Sequence, residues 1–387
     1  MTELLYWKDP YLSTFQAKII EIEKNNIILD KTAFYPQSGN QISDRGFIEK
    51  GKKRYEIKNV SKEGEKVYHQ INLKFIKEFN IGDKITGHID WNYRYGIMRA
   101  HSSQHLLSAI IKNKFDIDTQ HANILFEEVM LQISLALSDS QLKEALRELN
   151  RISTIENHRF KTHITSKSGL SNYSDDLRGF VPDEEKIRLV EVPDYDLICC
   201  GGTHVKNSTE IGPVFVYEFK KGTDIKYLLG QKALELYSEI NIDVVSLSNM
   251  LEIQYKKLFP FIHKQNREYG HLEQDFIKAA SKLLDYISKY PNYRLKECKI
   301  GILEIDLEYR FLQKQFKEFP ENYMLIILKS ENKIIIISNC EKLKANEFLN
   351  HLIQSYGGKG GGSPFSAQGA LESTPEDITS LIKTQYK

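Results

Sequence analysis

A chain of 387 residues with 53 Lys and Arg against 52 Asp and Glu carries a formal net charge of +1. That length exceeds one ordinary hydrophobic core and implies roughly two to four domains. The even balance excludes a global field for nucleic acid, so any such contact has to come from local patches. Four cysteines, Cys199, Cys200, Cys298 and Cys340, are too few for a disulfide framework and fit free thiols in a reducing compartment, with one available to a metal. The N-terminal MTELLYWKDPYLSTF lacks the apolar core of a signal peptide, and no segment reaches membrane-span length, so a soluble, cytoplasmic protein is expected.

Residues 1–92 read as short strands. FQAKIIEIEKNNIILD alternates around a turn at Asn25-Asn26, RYEIKNVSKEGEKVYHQI repeats the pattern around Lys62-Glu63-Gly64, and GDKITGHIDW ends it; strands at this spacing predict a small β-barrel. Between them TAFYPQSGNQISDRG, residues 32–46, reads as a loop, although Phe34-Tyr35-Pro36 is bulky for one left in solvent. Residues 93–235 mix a helix over Ile97–Lys112, a strand at VMLQISLAL, a helix at QLKEALRELNRISTI and strands at IRLVEVPDYDLICC and PVFVYEFKKGTDIKYLLG. The irregular alternation predicts an α+β domain. Over 236–290 the pattern is helical: Tyr269, Leu272, Phe276, Ala279, Leu283 and Tyr286 follow a coiled-coil spacing, equally an internal helix contact or an intermolecular seam, and Pro260 breaks the segment upstream. Residues 291–387 return to an α/β pattern, with strands at KIGILEI, YMLIILKS and KIIIISN and a helix over Ala345–Ser355.

Two pairs of metal-ligand residue types stand far apart in this chain. His101 and His105, in RAHSSQHLLSAII, share one helix face at i,i+4. Cys200 and His204, in ICCGGTHV, bracket a glycine turn able to aim thiolate and imidazole together. Alone, the first pair also reads as ordinary surface histidines; together the pairs supply three nitrogens and one sulfur, a set suited to tetrahedral zinc. Cys199 reads as a small buried hydrophobe. The glycine cluster GGKGGGSPFSAQGA, residues 357–370, lacks the register of a nucleotide-binding loop and does not follow a strand as a dinucleotide fingerprint should. A flexible linker and a phosphate-backbone contact both remain open for it.

Taken together, RAHSSQHLL, CGGTHV, TAFYPQSGNQISDRG, GHIDWNYRYGIMRAH and the terminal glycine cluster resemble, in order, the editing domain of alanyl-tRNA synthetases and its free-standing AlaX relatives. The long type, with a C-terminal DHHA1-like domain, is the best match. The resemblance implies a trans-editing hydrolase that cleaves the ester of mischarged tRNA(Ala), carrying serine above all and glycine for some members. By motif it assigns His101, His105, Cys200 and His204 to zinc, and Thr32 and Gln41 to the amino-acid pocket. Asp44 matches an acidic loop residue for which a turn-fixing role is as open as a chemical one. Gly358, Lys359, Gly360, Gly361 and Gly362, with Lys226, fall where RNA contacts are expected. Two departures stand out: Asn40 follows Gly39 where two glycines are usual, and Ser363 replaces a frequent arginine.

Zinc at such a site would act as a Lewis acid on water or substrate. Four protein ligands would close a structural site, whereas catalytic sites usually keep one position open; the sequence does not choose. Serine differs from alanine by a hydroxyl, which a site with polar partners can demand, and Thr32 is the side chain expected to make that test. Rival readings are a zinc-stabilised RNA-binding protein without activity and a phosphoesterase, although no Asp-His-His cluster accompanies the latter. No room for an ATP-dependent catalytic domain is expected upstream of the editing module. A homodimer through the helical and C-terminal regions is also expected.

Overall fold

Alternation sets the first long strand. In Thr14–Glu23 (β1) Phe15, Ala17 and Ile19 are buried while Thr14, Gln16 and Lys18 are exposed, the two faces of a pleated strand with one side in a core. In the computed structural model, which describes residues 2–173, 177–373 and 378, the chain divides into two units, Met1–Met250 and Leu251–Lys387.

In the first unit β1 turns through Lys24, at φ 55°, into Asn26–Leu29 (β2), one residue earlier than the Asn25-Asn26 turn expected. Gly46–Lys50 (β3), Lys53–Ile57 (β4), Asn59–Glu63 (β5), Lys66–Gln70 (β6) and Lys84–Ile89 (β7) complete a sheet of order β4-β3-β7-β1-β2-β6-β5. Its end strands β4 and β5 are consecutive in the chain, separated only by Lys58. The sheet therefore curls back on itself around Phe15, Leu29, Phe34 and Ile48. Among the described residues no ladder joins β4 to β5, so the expected barrel is realised as a curled sheet without shown closure.

The 32–46 loop is not surface trim: Ala33, Phe34 and Tyr35 are buried. Asp44 holds its shape by accepting from the Tyr35 N–H at 2.5 Å and by pairing with Arg94, whose Nε donates at 2.7 Å. Arg94 also reaches the carbonyls of Pro10 at 2.8 Å and Ala33 at 2.6 Å, so this buried cation is fully partnered. Asp44 thus serves to fix structure.

Trp91–Phe115 forms α1, starting earlier than the expected Ile97 because Asp90 caps it, accepting from the Tyr93 N–H at 3.2 Å. Nearly every residue from Ile97 to Ile111 is buried, polar ones included, as befits a helix enclosed on all sides. There follow Thr119–Leu125 (β8), Glu128–Ile133 (β9), Asp139–Thr154 (α2, with a Ser138–Gln141 capping box), Lys161–Ser166 (β10), Lys186–Val192 (β11), Asp196–Cys199 (β12), Val214–Lys220 (β13), Asp224–Leu229 (β14) and Gly230–Met250 (α3). The strands pair as β8-β9-β14-β13 and β10-β11-β12, and α1 shares one core with α2 and the four-stranded sheet. The α+β expectation holds for this region.

The second unit contains Leu258–Lys289 (α4), Tyr293–Leu295 (β15), Cys298–Glu304 (β16), Tyr309–Phe316 (α5), Tyr323–Leu328 (β17), Lys333–Ser338 (β18), Ala345–Tyr356 (α6), Gly358–Ser363 (β19) and Ser366–Leu371 (β20). Its sheet runs β15-β16-β17-β18-β20-β19, with β16 and β17 parallel. Pro260 sits in the first turn of α4, where a missing N–H costs no helical bond, and the chain breaks just upstream as expected. On α4 the buried stripe is Ala280, Leu284 and Ile287, packed with Leu312 and Phe316. The coiled-coil positions lie beside it and stay exposed, Tyr269 at 71% and Leu272 at 69%.

Two expectations are corrected here. The glycine cluster is no linker: β19 and β20 form an antiparallel hairpin. A Cβ at Gly360 would stand 2.6 Å from the Gln368 carbonyl oxygen and one at Gly362 would stand 2.2 Å from that of Ser366, so close approach of the two backbones requires these glycines. The cysteines of this unit are not free thiols: Cys298 and Cys340 form a disulfide with Cα atoms 6.4 Å apart. The sheet brings them together, because Cys298 opens β16 and Cys340 follows β18, the strands flanking β17. Cys199 and Cys200 are free. Among the described residues no helix is long and apolar enough to cross a membrane.

Candidate metal centre

Helix α1 and the loop after β12 meet to make the site. His101 and His105 project from successive turns of α1, and Cys200 and His204 come from the loop. Each of the four offers a ligand atom, and these atoms all lie within 4.8 Å of one another. Cys200 Sγ is 3.5 Å from His101 Nε2 and 3.3 Å from His204 Nε2. The imidazole centroids are 4.3–4.9 Å apart. His101, His105 and His204 are buried.

What surrounds the cluster tells which nitrogen each ring turns inward. Gln41 Oε1 accepts from His101 Nδ1 at 2.7 Å and from the Thr203 N–H at 3.1 Å, while Gln41 Nε2 donates to Thr203 Oγ1 at 2.9 Å. His204 Nδ1 faces Ser102 Oγ at 3.2 Å, and the same hydroxyl accepts from the Val205 N–H at 3.1 Å. His105 Nδ1 is buried without a hydrogen bond; its nearest acid is Asp196, with Oδ2 at 3.5 Å. Asp196 is itself gripped by Arg178 at 2.7 and 3.0 Å. His101 and His204 turn Nδ1 to outer partners and His105 turns its Nδ1 toward Asp196, which leaves Nε2 for the centre, the arrangement by which outer partners orient metal-binding histidines.

Electrostatics agree. Burial resists ionisation of Cys200, but the imidazoles of His101, His204 and His105 pull its thiol well below the ordinary value. Burial holds His101 down, and burial with the neighbouring imidazoles holds His204 well below the usual range. For His105 the burial penalty is outweighed by Cys200 and Asp196, and its pKa is pushed up to about 9. Three imidazoles around one thiolate make a donor set that fits a metal ion.

Gly202 belongs to this construction. A Cβ there would stand 2.2 Å from His101 Cε1 and 2.8 Å from Gln41 Oε1, so the Gln41–His101 contact exists only because residue 202 has no side chain.

The other predicted site residues are distributed. Gln41 joins the cluster directly. Thr32 makes its contacts within the curled sheet: its Oγ1 lies 2.8 Å from His69 Nε2 and accepts from the Phe34 N–H at 3.1 Å. His69 Nδ1 faces the Ile27 carbonyl at 3.2 Å, and burial pushes its pKa down to about 4. A neutral ring donating from Nδ1 accepts at Nε2, so the Thr32 proton is committed to His69 and its oxygen is left as an acceptor. Lys226, on β14, is held by Glu218 at 2.8 Å. Gly358, Lys359, Gly360, Gly361 and Gly362 lie exposed on β19.

Sequence reasoning missed Ser102, Thr203, Asp196 and Arg188. Arg188 is a charge within the otherwise apolar run IRLV of β11, and it is 3% exposed. Its Nη1 donates to the carbonyls of Cys200 at 2.8 Å and Gly202 at 2.9 Å, anchoring the cysteine loop. Burial pulls its pKa below the ordinary value, opposed by the charge of Cys200.

Comparison with known proteins matches two family models. That of tRNA synthetases class II (A) covers residues 9–93, which include Thr32 and Gln41. That of the threonyl and alanyl tRNA synthetase second additional domain covers residues 187–225, which include Arg188, Cys200 and His204. The alanyl-tRNA editing protein AlaX-L of Pyrococcus horikoshii is 28% identical over 98% of this chain and 96% of its own length. Alanine–tRNA ligases of Saccharolobus islandicus and Sulfurisphaera tokodaii are 26% and 28% identical over 93% and 99% of this chain. The chain spans only 41% and 44% of those ligases.

Proposed function

We propose, for a chain that belongs to the AlaX family of alanyl-tRNA editing proteins, that it hydrolyses the ester of tRNA(Ala) mischarged with serine, and of its glycine counterpart. The observation that carries this reading is the buried cluster of His101, His105, Cys200 and His204 with Gln41 bonded to both its helix and its loop. The donor set of three nitrogens and one sulfur favours zinc. When bound, zinc supplies a Lewis acid at the reacting ester.

The chain's own residues do the rest. Gln41 ties His101 to Thr203 and so holds the helix and loop halves in register. Thr32, left as an acceptor by its bond to His69, is the group to which a serine hydroxyl would donate; alanine has none to offer. In this reading residues 1–92 form a small barrel, 93–235 the editing domain, 236–290 a helical linker and 291–387 a DHHA1-like domain. The tRNA contacts are Lys226 and the exposed residues Gly358–Gly362. The exposed face of Tyr269, Leu272 and Phe276 is assigned to a homodimer, and the cytoplasm is the expected compartment.

Zinc-loaded protein should deacylate Ser-tRNA(Ala) much faster than Ala-tRNA(Ala), and Thr32→Val should narrow that preference while zinc content stays constant. Loaded protein inert on every mischarged tRNA would replace this reading with that of a zinc-stabilised RNA-binding protein.

A further inference from the structure

Two arginines of the first unit are buried, and they are treated differently. Arg94 is wholly enclosed and meets a carboxylate and two carbonyls. Arg188 is nearly as enclosed, yet no carboxylate pairs with it among the described residues, and its two recorded hydrogen bonds both leave from Nη1. Its Nε is buried with no acceptor at all. A guanidinium taken out of water with no carboxylate beside it, and with a donor unmet, opposes folding, and the charge of Cys200 offsets that only in part. Anchoring the 200–202 loop accounts for Nη1 and leaves Nη2 and Nε without an acceptor among the described residues.

Position supplies one. Arg188 lines a cavity of about 250 Å³ that also exposes Cys200 and Gly201. It lines as well a second cavity, of about 500 Å³, that exposes His204. A substrate approaching the centre through either opening passes this guanidinium. With Nη1 held by the loop, Nη2 is the arm left for a ligand, which suits an oxygen that becomes anionic on arrival at the centre.

We propose that Arg188 is a catalytic residue of the ester hydrolysis, its Nη2, the arm not held by the loop, donating to the carbonyl oxygen of the aminoacyl ester as that oxygen takes on negative charge. This inference rests on the deacylase reading. In the step, the oxygen of water bonds to the carbonyl carbon and the π pair moves onto the carbonyl oxygen, where the Nη2 N–H meets it. The pair then returns as the bond from carbon to the ribose oxygen breaks. The ribose oxygen takes one proton of the water, the other proton goes to solvent, and the amino acid leaves as a carboxylate. A donor aimed at the developing charge stabilises the transition state more than the ground state, so its effect falls on kcat.

Arg188→Lys is the discriminating variant, because an ammonium can still serve the Cys200 and Gly202 carbonyls but has no second arm to extend to the substrate. The full-length, zinc-loaded chain is assayed on Ser-tRNA(Ala) beside Arg188→Lys and Arg188→Met. Zinc content is measured, with affinity for a non-hydrolysable 3′-seryl-amide analogue of the terminal adenosine. The expected result for Arg188→Lys is a loss of about 10²–10³ in kcat, with zinc content and analogue affinity unchanged. Arg188→Lys as fast as wild type overturns the proposal. So does a loss of activity that tracks lost zinc or lost analogue affinity in both variants, which would make Arg188 a loop anchor only. Inert wild-type protein overturns the deacylase reading and this one with it, whereas active wild type with active Arg188→Lys overturns the role of Arg188 alone.

Discussion

The metal centre and the glycine hairpin each contain a conspicuous run of residues, and they use those runs in opposite ways. At the centre, His101, His105, Cys200 and His204 contribute side-chain atoms that converge to within 4.8 Å, and the rings of His101 and His204 are fixed from outside. In the hairpin the glycines contribute the absence of side chains: Gly360 and Gly362 admit a neighbouring backbone. Gly202 belongs to the second kind although it sits at the first site, since it makes room for His101 and Gln41. A residue type therefore announces chemistry only when the side chain itself performs it. A glycine reports that something else comes close.

This contrast can be tested by substitution. The largest effect is expected at Gln41. Gln41→Ala removes the acceptor of His101 Nδ1 and of the Thr203 N–H, and should lower zinc affinity or deacylation about 10–100-fold, read by competition with a chelator and by single-turnover hydrolysis. Unaltered affinity and rate would mean that the centre does not depend on its outer ring. A smaller effect is expected in the hairpin. Gly360→Ala sets a methyl against the Gln368 carbonyl and should cost about 1–3 kcal/mol, measured by urea denaturation. Gly361→Ala is the sharpest control: nothing lies within 4 Å of its Cβ position, so stability should change by less than about 1 kcal/mol. Equal losses at positions 360 and 361 would refute the close-approach account of the run.

The site was legible where spacing implies geometry. His101 and His105 at i,i+4 in an apolar run had to share a helix face, and the turn Gly201-Gly202-Thr203 had to return His204 toward Cys200. Of the groups that orient them, Gln41 was named only through the motif resemblance, and Ser102, Thr203, Asp196 and Arg188 were not legible, because such contacts join segments up to 162 residues apart. In IRLV the arginine was the one local signal, a charge in a strand that alternation alone would have kept apolar. Among the folds, the strands of residues 14–89 followed from alternation and their spacing announced a curled sheet, but whether its end strands pair was not legible, and among the described residues no ladder joins them. The heptad pattern on α4 identified an apolar face and left its partner open between an internal contact and a second chain; the stripe buried within the unit is Ala280, Leu284 and Ile287, beside the seam rather than on it. The disulfide was hidden for the same reason as the outer ring, since Cys298 and Cys340 meet only once β16, β17 and β18 are in order.

The central claim is that catalysis belongs to the four-residue centre. The most direct measurement is to strip the full-length chain with a chelator and then titrate zinc back while following Ser-tRNA(Ala) deacylation, with Cys200→Ala in parallel. Activity should be absent from the stripped chain, rise in proportion to bound zinc and level off at one ion per chain, and Cys200→Ala should recover none of it. Full activity in the stripped chain, or in Cys200→Ala, would contradict the account.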